Sequence, residues 1–84
     1  MKNRVAVTIA GQEYTLVGTE DAGYTEKVAA HVDEKVREIM ESARVSLVDG
    51  AVLAAVNIAD EYFKEQEAAE NLRRQLKEYL GEAT

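Results

Sequence analysis

The first part of the chain alternates between apolar and polar positions. Over residues 4–17 the apolar side chains recur at every second position, on both sides of a Gly11-Gln12 pair. Alternation is typical of half-buried strands, and a two-residue loop that begins with Gly is typical of a type II′ turn. The pattern therefore predicts an antiparallel β-hairpin whose loop is Gly11-Gln12.

This loop predicts one particular register for the two strands. In that register Ile9 faces Tyr14 and Val7 faces Leu16. Apolar residues then oppose one another on one face, while polar or small residues share the other face. Since an isolated two-stranded hairpin is marginally stable in water, we expect the apolar face to be covered.

Helical spacing replaces alternation after the turn-rich residues 18–23. Thr19 or Asp21 is expected to cap a first helix, because either side chain can accept a hydrogen bond from the first free backbone N–H groups. Apolar residues then recur in steps of three and four at Tyr24, Val28, Val32, Val36, Ile39, Met40 and Ala43. This spacing predicts an amphipathic helix of about six turns.

A second and much longer helix is predicted from about residue 47 to residue 80. Ser46 and Asp49 have the spacing of a capping box, in which the Ser side chain accepts a hydrogen bond from the Asp backbone. Neither Pro nor Gly interrupts residues 51–80, and such a helix would be about 50 Å long. A compact domain of this size has a radius of gyration of about 12 Å. Part of the helix must therefore project from the domain.

The apolar positions of the long helix form a coiled-coil seam. With Val48 at position a of a heptad, the a and d positions hold Val48, Ala51, Ala55, Ile58, Tyr62, Glu65, Ala69, Leu72, Leu76 and Tyr79. Glu65 is the polar member, and we favour a simple mismatch over an ion-pair partner. A second apolar stripe is confined to the first half of the helix and consists of Val52, Val56, Ala59 and Phe63.

Together these elements predict an α+β protein with an N-terminal β-hairpin, one short helix and one long C-terminal helix that forms a coiled coil in an oligomer. Residues 1–63 would form a globular dimerisation head, and residues 64–84 a coiled-coil stalk. One hairpin and one short helix offer too little surface to cover both stripes of the long helix. We therefore expect a symmetric homodimer, with further pairing of stalks within or between dimers.

Composition and charge narrow the function classes. The 84 residues carry 10 Lys and Arg against 16 Asp and Glu, a net charge of −6, which opposes binding to nucleic acid. They include no Cys, which fits a reducing compartment. No segment is long enough to span a bilayer, and the apolar run after Arg4 is too short for a signal peptide. We expect a cytoplasmic protein that binds neither nucleic acid nor membrane.

The residue types of a catalytic or metal site are sparse. His31 is the one histidine of the chain, and beside the apolar stripe we expect it to pack or to be half exposed. The pair Asp33-Glu34 is typical of a solvated helix face. Asn57 lies within the most apolar run and either hydrogen-bonds across an interface or faces water. We predict no enzymatic activity, no cofactor and no metal.

Three segments together resemble the ZapA family, the bacterial division proteins that associate with the Z ring. They are RVAVTIAGQEYTLVG at residues 4–18, AAHVDEKVREI at residues 29–39 and AVLAAVNIADEY at residues 51–62. The resemblance implies a dimeric head, with long helices that pair dimers into antiparallel tetramers carrying a head at each end. It also implies a place at the mid-cell division site, where family members bind FtsZ, the bacterial tubulin relative, and crosslink its protofilaments.

The resemblance also guides the choice of contact residues. In the family, charged positions on the first helix and in the loop before the long helix are implicated in FtsZ binding, and Arg44-Val45 matches the pattern of that loop. Four charged residues that are adjacent in the predicted head complete this set: Lys35, Arg37, Glu41 and Asp49. The candidates for oligomerisation are the seam residues Ala55, Ile58, Tyr62, Ala69, Leu72, Leu76 and Tyr79. Gly23 and Gly50 depart from the family pattern, and each is expected to loosen a first helical turn.

Two other protein classes combine similar elements. Ribbon-helix-helix DNA-binding dimers place a strand before two helices, but their exposed strand face is basic or rich in amides. Here that face consists of Arg4, Ala6, Thr8, Thr15 and Val17. Prefoldin-like chaperones also combine hairpins with helical stalks, although their hairpin lies between two long helices. Both classes remain alternatives, and an enzyme is the least supported class.

Overall fold

The structure is a computed structural model that describes residues 2–81. Strand β1 spans Asn3–Ile9 and strand β2 spans Gln12–Gly18, and the two form an antiparallel sheet. Helix α1 spans Ala22–Ala43 and helix α2 spans Leu47–Gly81.

The predicted α+β fold and its order of elements are confirmed. The coiled-coil oligomer and the division between head and stalk at residue 63 stay predictions. Residues 82–84 of the predicted stalk lie outside the described residues.

The hairpin turn lies one residue earlier than the pattern predicts. Its loop is Ala10-Gly11, with φ values of 52° and 83°, and two positive φ values define a type I′ turn in place of the expected type II′ turn. Val7 therefore faces Tyr14 instead of Leu16, and the predicted register is wrong. Because the pairing moves by two residues, every side chain keeps its predicted face.

Contacts outside the hairpin account for the observed turn. The backbone N–H of Ala10 donates a hydrogen bond to Oδ1 of Asp33 on α1, at 2.7 Å. In the observed register Val5 faces Leu16, and Leu16 packs against the small core between the hairpin and α1. The turn is thus specified by the helix that covers the hairpin as well as by the loop residues.

Caps define the ends of both helices. Oδ1 of Asp21 accepts a hydrogen bond from the backbone N–H of Tyr24 at 2.8 Å, so Asp21 and not Thr19 caps α1. Arg44 follows the end of α1 in the left-handed conformation, with φ 52° and ψ 49°. Oγ of Ser46 then accepts from the backbone N–H of Asp49 at 3.2 Å, which confirms Ser46 as the cap of α2.

The core is small and has two parts. Val5, Val7 and Ala29 are buried between the hairpin and α1. Val36 of α1 and Ala54 of α2 are 2% and 1% exposed and belong to the contact between the helices.

Gly50 allows α1 and α2 to approach closely. A Cβ atom at Gly50 would lie 2.9 Å from Cγ of Met40 and 3.7 Å from Cγ1 of Val36. The sequence predicted only a loosened first turn at this position. In the structure Gly50 is buried, and its missing side chain makes room for α1.

Helix α2 extends well beyond the rest of the chain. The radius of gyration is 18.0 Å and the dimensions are 55 × 39 × 13 Å, whereas a compact domain of this length has a radius of gyration of about 12 Å. Every residue from Tyr62 to Gly81 is exposed in the single chain. The projection expected from the length of the helix is therefore confirmed.

Candidate self-association and partner-binding surfaces

The predicted seam residues in the projecting half of α2 form an exposed stripe. Leu72, Leu76 and Tyr79 are 59%, 51% and 85% exposed, and Ala69 is also exposed. Their spacing of three and four residues places them on one face of the helix. A contiguous apolar stripe on a soluble protein indicates an association surface.

The first half of α2 leaves a further apolar band uncovered. Val48, Val52, Val56 and Phe63 are each more than half exposed. Beside this band lies an open groove of about 490 Å³, lined by Ile9, Ala10, Tyr14, Leu16, Val36, Leu47, Val48, Ala51 and Val52. The head of a single chain therefore has an incomplete core that involves both the hairpin and α2.

Helix α1 packs against a stripe of α2 that sequence analysis missed. Gly50, Ala54 and Glu61 share one face of α2, since they are spaced by four and seven residues. Gly50 and Glu61 contact α1, and Ala54 between them is buried. The sequence signal for this close contact was the pair of small residues four positions apart. Because α1 covers this stripe, most of the predicted seam stays accessible to another chain.

The seam residues at the base of the stalk are among the accessible ones. Ala55 and Tyr62 are exposed and Ile58 is half-buried. The rings of Tyr62 and Phe63 pack edge to face with their centres 5.2 Å apart. The hydroxyl oxygen of Tyr62 accepts a hydrogen bond from Nε2 of Gln66 at 2.9 Å.

Next to Tyr62, Glu61 connects α2 to α1. Nζ of Lys35 lies 2.6 Å from its Oε2, and Nε2 of His31 lies 2.9 Å from its Oε1. The hydrogen bonds from Lys35 and His31 hold the pKa of the Glu61 carboxyl below its ordinary value, and the contact with Glu61 raises the pKa of Lys35. Lys35, a predicted FtsZ contact, is thus engaged within its own chain. His31 is half exposed, as expected.

Asp33 connects α1 to the hairpin turn. Its Oδ1 accepts from the N–H of Ala10 at 2.7 Å, and its Oδ2 accepts from Nε of Arg37 at 3.0 Å. The hydrogen bond from Ala10, assisted by Arg37, holds the pKa of Asp33 below its ordinary value although partial burial opposes this. The sequence had indicated a solvated carboxylate at this position, but its side chain is only 21% exposed.

We expect Asp33 to make the stability of the fold depend on pH. Because its pKa is lower in the folded than in the unfolded chain, its contribution is present above the unfolded pKa of about 4 and is lost as the pH falls through the folded pKa. Asp33→Asn keeps an oxygen acceptor but removes the charge. This variant should lose less stability than the unmodified protein between about pH 5 and pH 3. Urea unfolding at one protein concentration measures the difference.

Glu26→Gln is a matched control for this experiment. Glu26 lies on α1 and is exposed, so its variant should follow the unmodified protein across the same pH range. Identical pH profiles for Asp33→Asn and the unmodified protein would contradict the role assigned to Asp33.

The other predicted FtsZ contacts border the hairpin turn and the loop between the helices. Arg37 and Glu41 line a groove of about 280 Å³ next to Ala10. Arg44 lies in the loop and Asp49 in the first turn of α2, and both are exposed. The structure therefore leaves these four charged residues on the surface of the head.

Between residues 2 and 81, no helix is both long enough and apolar enough to cross a membrane. In the same range, no group of three or more His, Asp or Glu residues is arranged to hold a metal ion.

The head has an uncovered apolar core, and a helix with an apolar stripe projects from it. These features are typical of small α+β proteins that associate with other chains. The chain matches the family model described as cell division protein ZapA over residues 5–84. The chain belongs to the ZapA family, as the three segments indicated, and has a role in cell division. Because the chain belongs to this family, neither the ribbon-helix-helix class nor the prefoldin-like class describes it.

Relatives of known sequence and structure agree with this assignment. The chain is 48% identical over 77 residues to the cell division protein ZapA of Geobacillus kaustophilus, covering 90% of this chain and 85% of the relative. It is 45% identical over 78 residues to ZapA of Bacillus subtilis, covering 92% of each.

Two solved structures share the fold. One is a ZapA mutant dimer from Geobacillus stearothermophilus, with a TM-score of 0.70 and 46% identity over 92% of this chain and 91% of that chain. The other is an unknown conserved bacterial protein from Pseudomonas aeruginosa PAO1, with a TM-score of 0.78 and 29% identity over 96% of this chain and 91% of that chain.

Proposed function

We propose that this protein binds FtsZ and crosslinks its protofilaments, and so promotes the assembly and stability of the Z ring at mid-cell. The proposal rests on membership of the ZapA family. The proposal is also supported by the apolar side chains that a single chain leaves exposed from Val48 to Leu80 of α2. That surface supports an assembly with more than one head.

The exposed band at the base of α2 supports a homodimeric head. Val52, Val56 and Phe63 are 58%, 62% and 62% exposed, and Val52 also lines the groove next to the hairpin. Burying side chains of this kind contributes about 2 kcal/mol each. A symmetric dimer buries the same band of both copies at once. The dimer structure from Geobacillus stearothermophilus is a precedent within the family.

The stripe on the projecting half of α2 supports pairing of two dimers. Leu72, Leu76 and Tyr79 lie too far along the helix for the hairpin or α1 to cover them. Antiparallel pairing of these stalks gives a homotetramer with a head at each end. Two heads at a fixed spacing hold two filaments together, whereas one head only decorates one filament. Crosslinking is thus a consequence of bivalency.

The exposed charges of the head are the proposed FtsZ contacts. All four of Arg37, Glu41, Arg44 and Asp49 are exposed. Arg37 and Glu41 lie next to the hairpin turn, and Arg44 and Asp49 lie in and just after the loop between the helices. Lys35 is assigned a smaller part, because its ammonium group is held by Glu61. Contact through charged residues predicts binding that weakens as salt increases.

Arg44→Gly is expected to weaken FtsZ binding while the fold is retained. Arg44 has φ 52°, a conformation that Gly adopts without steric cost, so the loop should be at least as stable in the variant. Loss of one charged interface contact weakens binding by about tenfold. Low-speed pelleting of FtsZ polymers measures this, with less polymer in the pellet for the variant than for the unmodified protein.

Arg4→Ala is the control for the same assay, because Arg4 lies on the exposed face of the hairpin and is not among the proposed contacts. It should pellet FtsZ as the unmodified protein does. If the unmodified protein brings no additional FtsZ into the pellet, the proposed function is wrong. If Arg44→Gly pellets as much as the unmodified protein, Arg44 is not a contact.

A further inference from the structure

Met40 carries the single sulfur atom within residues 2–81. The chain has two methionines, Met1 and Met40, and no cysteine. Peroxides oxidise the thioether of methionine to a sulfoxide, and methionine sulfoxide reductases reverse this oxidation. Among the described residues, reversible oxidation of sulfur is therefore confined to Met40.

The Met40 side chain packs on Gly50 where α1 meets α2. A Cβ atom at Gly50 would lie 2.9 Å from Cγ of Met40 and 3.6 Å from its Sδ. Val36, one turn earlier on α1, approaches the same position with its Cγ1 and is 2% exposed. The thioether of Met40 is thus part of the close apolar contact between the two helices.

The same side chain borders a groove on the surface of the head. Met40 is half-buried, and it lines the groove of about 280 Å³ together with Ala10, Arg37 and Glu41. Oxidation of methionine requires only that a small oxidant reaches the sulfur atom. The groove therefore gives hydrogen peroxide access to a thioether that also belongs to the contact between the helices.

We propose that Met40 is a site of reversible oxidation that loosens the contact between α1 and α2. A lone pair of Sδ attacks one oxygen of hydrogen peroxide, and the O–O bond breaks. The proton of the transferred oxygen moves to the leaving hydroxide, which departs as water. Sulfur loses two electrons, the peroxide gains them, and a polar sulfoxide replaces the apolar thioether.

The sulfoxide oxygen meets no free donor at Gly50. The backbone N–H of Gly50 already donates to the carbonyl oxygen of Ser46 at 2.8 Å, and Val36 is apolar. A buried acceptor without a donor is unfavourable. The contact that favours the thioether therefore disfavours the sulfoxide.

The groove offers the sulfoxide a donor instead. The guanidinium of Arg37 uses its Nε to donate to Asp33 at 3.0 Å, and a guanidinium has four further N–H groups. After oxidation, the Met40 side chain turns from Gly50 toward the groove and accepts a hydrogen bond from Arg37. Helix α1 then loses part of its packing on α2.

Peroxide treatment of the assembled native protein tests the inference, with peptide mass spectrometry to locate the added oxygen. Met40 should be oxidised at no less than about a tenth of its rate in urea. The thermal midpoint at a fixed protein concentration should then fall by about 5 °C, and methionine sulfoxide reductases should restore it. Oxidation of Met40 only in urea, an unchanged midpoint after complete oxidation, or a midpoint that the reductases do not restore overturns the inference.

Met40→Leu is the matched control, because Leu has a similar volume and keeps an apolar contact with Gly50. Its midpoint should lie close to that of the unmodified protein and should not fall after peroxide treatment. Met40→Gln places an uncharged oxygen acceptor at the same position, so it should have the lower midpoint without peroxide. An equal fall for Met40→Leu and the unmodified protein would assign the effect to another residue and overturns the inference.

An effect of this oxidation on FtsZ rests on the proposed function. Arg37 and Glu41, two proposed FtsZ contacts, line the groove that receives the sulfoxide. A sulfoxide bound to Arg37 competes with FtsZ for the guanidinium, so binding should be about fivefold weaker.

Low-speed pelleting of FtsZ polymers, after the peroxide has been removed, measures this effect. Equal pelleting by the oxidised and the untreated protein overturns the regulation of FtsZ binding. If the untreated protein pellets no additional FtsZ, the proposed function is wrong, while the oxidation of Met40 and its effect on the midpoint are still decided by the protein alone.

Discussion

Replacing Leu72 and Leu76 with Glu should separate the stalks and halve the mass of the assembly. Each buried Leu contributes about 2 kcal/mol, so the loss of two per chain weakens stalk pairing by about a thousandfold before the cost of burying charge is added. The head does not involve these residues, so dimers should persist. Such dimers should still bind FtsZ but should no longer bring its polymers into a low-speed pellet.

Asn71→Glu with Gln75→Glu is the matched control for this variant. The two positions have the same four-residue spacing and gain the same charge, but neither is a seam position, since Asn71 lies on the outer face of the helix and Gln75 at the edge of the seam. The control should keep the mass and the pelleting activity of the unmodified protein. An unchanged mass for the Leu72 and Leu76 variant in light scattering would show that the stalks do not pair through this stripe.

Gly50→Val should destabilise the fold more than any other single change considered for the head. Its Cβ would lie 2.9 Å from Cγ of Met40, so the Met40 side chain or the helices would have to shift where α1 packs on the buried Gly50. Overpacking of this kind costs about 1–3 kcal/mol. Thermal unfolding at a fixed protein concentration should show a clear decrease in the midpoint.

Gly81→Val tests whether the loss of stability comes from the contact at Gly50 or from replacing any helical Gly with Val. A Cβ at Gly81 would meet Cγ of Lys77 at 3.8 Å, an ordinary contact distance. That variant should unfold close to the midpoint of the unmodified protein. Equal midpoints for Gly50→Val and the unmodified protein would contradict the close approach of the two helices at Gly50.

Periodicity was sufficient to predict the elements of the fold and the faces they bury. The spacing of apolar residues gave both helices to within a few residues, and Ser46 could be identified as a cap because its hydrogen bond is local. Alternation in the hairpin identified the covered face correctly. These features depend on near neighbours in the chain, which is why one sequence specifies them.

Features that depend on distant contacts could not be predicted in the same way. The turn at Ala10 requires a positive φ at a residue other than Gly, and its N–H is held by Asp33, 23 positions away. The link from Glu61 to Lys35 and His31 likewise joins α2 to α1. In the sequence, nothing distinguishes Asp33 or Glu61 from the solvated carboxylates around them. Only the packing of the elements distinguishes them.

The same distinction between near neighbours and distant contacts applies to the candidate surfaces. The stripe from Ala69 to Tyr79 was readable as a heptad pattern and is exposed in the structure. The stripe that α1 covers, at Gly50 and Ala54, was not recognised, because small residues give little periodic signal. The charged residues of the head that bind a partner could not be distinguished from the sequence, since a binding residue and a solvated one look alike in a single sequence.

We infer that α2 is too long and too apolar for one chain to cover, so that further copies must cover it. The most direct test is the mass of the unmodified protein in solution, measured by light scattering coupled to size exclusion. We expect an assembly of four chains, each of 9.3 kDa. A particle with the mass of a single chain would contradict it.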